Sequence, residues 1–166
     1  MRPRRLTHYS YTGPQQYFLT LCTFERRRHF VSRATVSIVN EQFLRTATDF
    51  EFAILAYCFM PDHLHLLVEG VSERSNLPQF VSLGKQRAAF ATRELLRPRL
   101  WQTGYFERVL RSNDETFNVA RYVVQNPVRA GLVRSPDEYP FTGSSILTKE
   151  QLIGSCQWNA RRRWHP

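Results

Sequence analysis

The chain has 166 residues, 42% hydrophobic and 13% aromatic, with a formal charge of +9. That length supports one domain with a real core and is too short for two ordinary ones, and the apolar content excludes a disordered chain. Nearly all the cations are arginine, with lysine only at Lys85 and Lys149; guanidinium forks match phosphate oxygens and stack on bases, so the charge points to a polyanionic partner, above all nucleic acid.

Cys22, Cys58 and Cys156 are widely spaced and fall in no metal-ligand pattern, which fits a reducing cytosol better than a disulfide framework. No segment has the unbroken apolar run of a membrane helix, and Met1-Arg-Pro-Arg-Arg lacks the apolar core of a signal peptide. The expectation is a single-domain cytoplasmic, nucleoid-associated protein with no membrane partner.

Residues 1–16 read as a basic, irregular arm with Tyr9 and Tyr11 near a Gly13-Pro14 turn. Alternation from Tyr17 to Phe24 predicts a strand, followed by Arg26-Arg27-Arg28. Val36, Val39, Phe43, Ala47 and Phe50 recur at three- and four-residue steps, predicting an amphipathic helix over 34–50. Residues 51–60 form a largely apolar strand, as expected where both sheet faces are covered. Pro61-Asp62 turns the chain into a second strand ending near Gly70, making a hairpin. Asn76-Leu77-Pro78-Gln79 is a helix start, with Asn76 as cap and proline in the first turn; helical spacing continues to Leu95. Residues 101–110 return to strand-like character, and Asn113-Asp114 caps a further helix expected to end by Asn126, because proline disfavours helical geometry in the residue before it. Residues 134–166 are a C-terminal extension with short apolar pieces and a basic end at Arg161-Arg162-Arg163. The order strand–helix–strand–strand–helix–strand is the split pattern of α+β, ferredoxin-like (RRM-like) antiparallel sheets, with one extra helix.

Strand side chains alternate, so in Pro61-Asp-His-Leu-His-Leu-Leu-Val-Glu69 the imidazoles of His63 and His65 share one sheet face and Leu64, Leu66 and Val68 share the other. Such a pair suits either metal ligation or a hydrogen-bonded structural role. The two early helices would cover the leucine face, and the extra helix is the candidate cover for the histidine face. On that helix Phe117, Ala120, Val123 and Val124 form an apolar side, while Glu115, Asn118, Tyr122 and Asn126 gather opposite. Tyr122 and Asn126, four apart, lie one above the other. Two histidines and an amide make three ligands without thiolate, pointing to Mg²⁺ or Mn²⁺ rather than structural zinc. A tyrosine beside such an ion can attack a phosphodiester.

Three ordered blocks carry a family resemblance: Met60-Pro-Asp-His-Leu-His-Leu-Leu-Val68, Leu100-Trp-Gln-Thr-Gly-Tyr-Phe-Glu-Arg-Val-Leu110 and Ala120-Arg-Tyr-Val-Val-Gln-Asn-Pro-Val-Arg-Ala-Gly-Leu-Val133. With Glu138-Tyr-Pro-Phe-Thr-Gly-Ser-Ser145, they resemble the single-tyrosine His-hydrophobe-His (HUH) transposases of the insertion-sequence type, and within them the REP-associated tyrosine transposases of bacteria. The resemblance implies a metal-dependent domain, without organic cofactor, that cuts and rejoins single-stranded DNA at hairpins of repetitive extragenic palindromes. It implies His63, His65 and Asn126 as metal ligands and Tyr122 as the nucleophile, linked covalently to the 5′-phosphate. Gln125 is the other candidate for third ligand, but it is rotated away from the face of Tyr122. Glu107-Arg108 stands where relatives often carry Asp-His, and Glu107 is a weak candidate for assisting metal or water; Phe141 stands where tryptophan is commoner. DNA contacts are assigned to Arg2, Arg4, Arg5, Arg26, Arg27 and Arg28, with Arg161 to Arg163 as weaker candidates; the protein would be a monomer or homodimer. The alternative is a non-catalytic ferredoxin-like module that grips single-stranded nucleic acid.

Overall fold

The computed structural model describes residues 9–97 and 99–158; Arg2, Arg4, Arg5 and Arg161 to Arg163 lie outside them. Alternating apolar residues pair into a five-stranded antiparallel sheet in the order β4-β1-β3-β2-β5, from β1 (Gln16–Cys22), β2 (Phe52–Met60), β3 (His63–Gly70), β4 (Phe106–Leu110) and β5 (Thr142–Gly143). Helices α1 (Arg33–Asp49) and α2 (Leu77–Ala91) connect the strands as expected of the ferredoxin-like order, and α3 (Asn113–Arg129) and α4 (Lys149–Trp158) follow.

Leu64, Leu66 and Val68 face α1 and α2, burying Val39, Phe43, Phe80 and Val81 in a first core. Asn76 caps α2 as its sequence requires, its side chain accepting from the Gln79 amide at 3.1 Å. Gly84 is where α2 crosses α1: a Cβ there would lie 2.7 Å from the Phe43 ring. That ring is fully buried and set against Phe80 and Trp101, so it has no room to yield. Gly84→Ala is therefore expected to lower stability by about 1–3 kcal/mol in urea unfolding, against the roughly 1 kcal/mol that alanine gains in helix propensity.

The opposite face, with Ala56, Cys58, Met60 and Leu67, is closed by α3 and α4 through Val119, Val123, Val124, Leu152 and Ile153. α3 departs from its sequence reading in three ways. Its cap is Ser112, which accepts from the Glu115 amide at 3.2 Å. Its buried side carries Val119 in place of Phe117, which is exposed. It also continues through Pro127 to Arg129. Pro127 is buried, and burial of its ring offsets the lost backbone hydrogen bond. Leu95 falls outside α2 and is exposed, and Trp101 forms an isolated bridge with Thr23 in place of a longer β4.

β5 and α4 were hidden in short apolar pieces. The Tyr139–Ser145 segment is tied to the edge of β2: the Tyr139 hydroxyl donates to the Phe59 carbonyl at 2.7 Å, and the Phe59 amide donates to the Phe141 carbonyl at 2.9 Å. Ser145 accepts from the Ile54 amide at 2.9 Å, beside the register shift in β2.

Candidate active site

Pairing places Thr20 and Cys58 opposite His65, and Cys22 and Met60 opposite His63. Both imidazoles therefore project from the central strand onto the α3 side. Their Nε2 atoms approach to 3.1 Å, with the rings nearly perpendicular. Each Nδ1 has its own partner: the Asp62 carboxylate lies 2.6 Å from His63 Nδ1, and the Thr20 hydroxyl 3.0 Å from His65 Nδ1. A carboxylate only accepts, so His63 carries its proton on Nδ1 and turns a bare lone pair inward at Nε2. The Thr20 hydroxyl, donor or acceptor, suits either tautomer of His65. Burial, reinforced by the neighbouring His63, pushes His65 down to about 3, and burial likewise lowers His63. Both rings are neutral near pH 7, the state in which imidazole ligates metal.

The third candidate donor lies on α3. Asn126 places its amide 3.1 Å from His65 Nε2, and rotating that amide by half a turn puts its oxygen at the same point. One helical turn earlier, the Tyr122 ring stands edge-on to His65 at 5.6 Å and to Phe18 at 5.7 Å, while Arg129 lies over it at 5.1 Å. Tyr122 is 37% exposed. His63, His65, Tyr122 and Asn126 thus come together as their spacing suggested, and they do so within one chain. Among the described residues no three His, Cys, Asp or Glu side chains form a metal cluster; three donors are reached only with the amide. Glu107 is opposite Leu19 in the β1–β4 register, on the face away from the histidines, which removes it as an aid to the metal.

The arginine triplet divides. Arg26 engages Asp62 through Nε at 2.8 Å and Cys22 Sγ through Nη1 at 2.8 Å, so it braces the carboxylate that braces His63. This needs a tight loop: Glu25 and Arg26 both adopt left-handed backbone geometry, at φ 54° and 56°, which is costly for non-glycine residues. The buried Thr23 hydroxyl fixes that loop, facing the Arg27 and Asp62 carbonyls at 2.7 and 2.9 Å. Arg27 pairs with Glu25, Arg28 is exposed, and Arg99 stacks 4.0 Å over Phe24. Thr20, Asp62 and Arg129 were not singled out from sequence. Asp62 had a readable signal, a carboxylate directly preceding the first histidine; Thr20 and Arg129 are visible only through strand register and helix packing.

Comparison with known proteins identifies the family. A protein of Haemophilus influenzae, provisionally named a REP-associated tyrosine transposase, is 26% identical over 150 residues, covering 82% of this chain and 83% of its own. The structure of a REP-associated tyrosine transposase bound to a REP hairpin superposes with a TM-score of 0.73 at 20% identity, over 84% of this chain and 82% of that one. A provisionally assigned transposase of Deinococcus radiodurans gives 0.51 at 20% identity, over 73% and 95%. These two structures share the fold. The model of the family described as "Transposase IS200 like" matches residues 13–126, well over half of the sequence, and the chain therefore belongs to the IS200-like transposases, a family of DNA-processing enzymes.

Proposed function

We propose that the protein is a divalent-metal-dependent endonuclease and strand transferase for single-stranded DNA, acting on REP-like palindromic hairpins through a covalent 5′-phosphotyrosine. The observation that carries this reading is the convergence of the two imidazole Nε2 atoms, 3.1 Å apart, and the Asn126 amide beside the Tyr122 ring. Two imidazoles and an amide oxygen, without thiolate, suit Mg²⁺ or Mn²⁺. His63 Nε2, His65 Nε2 and the Asn126 amide, each 3.1 Å from its neighbour in the group, are the atoms that would hold such an ion. When bound, such an ion offsets the charge of the scissile phosphate.

The chain's own residues supply the rest. Asp62 and Thr20 hold the rings in orientation, and Asn126 fixes His65 from above. The Tyr122 oxygen attacks phosphorus as the bond to the 3′-oxygen breaks. The phenol proton leaves to solvent, and the departing 3′-oxygen takes up a proton as a free hydroxyl. Strand transfer reverses this: a 3′-hydroxyl attacks the phosphotyrosine and the phenol is released. Arg27 and Arg28 are assigned to phosphate contacts, and Arg26 to positioning. The hairpin substrate is inferred from the DNA named with the structural neighbour.

The test is incubation with labelled hairpin DNA and Mg²⁺ or Mn²⁺, followed by a denaturing gel. A shortened strand and a protease-sensitive adduct are expected with metal, and neither with a chelator. Metal-independent retention of uncut DNA would instead support a binding module. Asp62→Asn is expected to weaken Mn²⁺ binding about 10–100-fold by calorimetry; unchanged affinity would show that His63 does not depend on this carboxylate.

A further inference from the structure

Phe106 is left unused by the reaction. It sits on β4, the free edge of the sheet, and is 45% exposed. An aromatic ring open to water on an edge strand invites unwanted association and adds little to a core. Its surroundings give it a different purpose. Phe106 pairs with Thr20 in the β1–β4 register, and Thr20 pairs with His65 across β1 and β3, so its ring lies on the histidine face. It stands edge-on to Phe18 at 6.3 Å; Phe18 stands edge-on to Tyr122 at 5.7 Å, and Arg129 covers Tyr122 at 5.1 Å. Three rings and a guanidinium form one strip passing beside His65, with its two ends, Phe106 and Tyr122, open to solvent. Arg108, on the same face opposite Phe18, is held by Glu115 at 2.9 Å, leaving Arg129 as the cation in direct ring contact with the strip.

We infer that Phe106 is a base-stacking residue, holding the nucleobase of a single-stranded DNA segment next to the scissile phosphate while Arg129 meets the backbone beside Tyr122. This rests on the single-stranded substrate proposed above. The chemistry fits: bases present flat apolar faces that stack on aromatic rings, and phosphates pair with guanidinium groups. A stacked base fixes the register of the strand over the metal ligands. Phe106 thereby becomes a determinant of where the strand is cut, separate from recognition of the hairpin stem.

The test uses the full chain in a Tyr122→Phe background, which keeps the ring of the strip and stops the chemistry. Hairpin oligonucleotides carry 2-aminopurine at successive positions of the single-stranded flank. One position is expected to lose fluorescence on binding. Phe106→Ala should restore that signal and weaken binding about tenfold, and Phe106→Trp should keep both. If Phe106→Ala leaves the fluorescence profile unchanged, the inference is overturned, whether or not affinity falls. Phe106→Leu separates stacking from simple apolar contact: retained quenching with leucine would also overturn it. In parallel, the Tyr122 protein is assayed for cutting of the same DNA. Binding and quenching without cutting would sink the nuclease reading alone, whereas cutting without Phe106-dependent quenching would sink the stacking role alone.

Discussion

Tyr122→Phe is expected to abolish cleavage and adduct formation together, by at least about a thousandfold in single-turnover rate, while hairpin affinity stays within about twofold. Phenylalanine keeps the ring that meets His65, Phe18 and Arg129 and removes only the hydroxyl. The position is partly exposed, so the helix loses no packing and the unfolding midpoint should not move. The two readouts separate the alternatives. Normal cutting by the variant would place the nucleophile elsewhere. Cutting without an adduct would mean that water, not a side chain, attacks the phosphate.

His63→Ala is expected to remove metal-dependent cleavage and to reduce Mn²⁺ binding below detection by calorimetry, because only two of the three donors remain. DNA affinity in chelator should change less than about tenfold, since it comes mainly from arginine–phosphate contacts and their displaced counterions. The variant also leaves Asp62 without its imidazole partner while keeping its ion pair with Arg26. A variant that still bound Mn²⁺ tightly while losing cleavage would move the ion away from the histidine pair.

The sheet and its first two helices were legible because their residues obey local rules: period-two alternation in β1 and β3, Asn76 and Pro78 at the start of α2, and apolar steps from Val36 to Ala47. The pairing of His63 with His65 followed from the same alternation. Local rules failed where packing overrode them. Pro127 argued for an earlier end to α3, yet it lies inside the helix with its ring buried. Phe117 matched the apolar stripe, but the face toward the sheet is set by Val119, Val123 and Val124. β5, two residues long, is too short for any periodicity to announce it, and Thr142–Ser145 becomes ordered through hydrogen bonds to β2. The pairing of Arg26 with Asp62 was not legible because a run of arginines has no internal signal for which member meets a carboxylate. Its partner Asp62 is distant in sequence, and only the left-handed turn at Glu25 and Arg26 brings the two together.

Tyr122 and Asn126 ride on a single helix, while His63 and His65 are fixed in the centre of the sheet. The candidate site is therefore built from two elements, a helix and a strand, and the two residues on the helix move together. Any tilt of α3 that carries Tyr122 off the sheet carries Asn126 with it. On the proposed mechanism, changes in the packing of Val123 and Val124 should therefore alter metal binding and cleavage together.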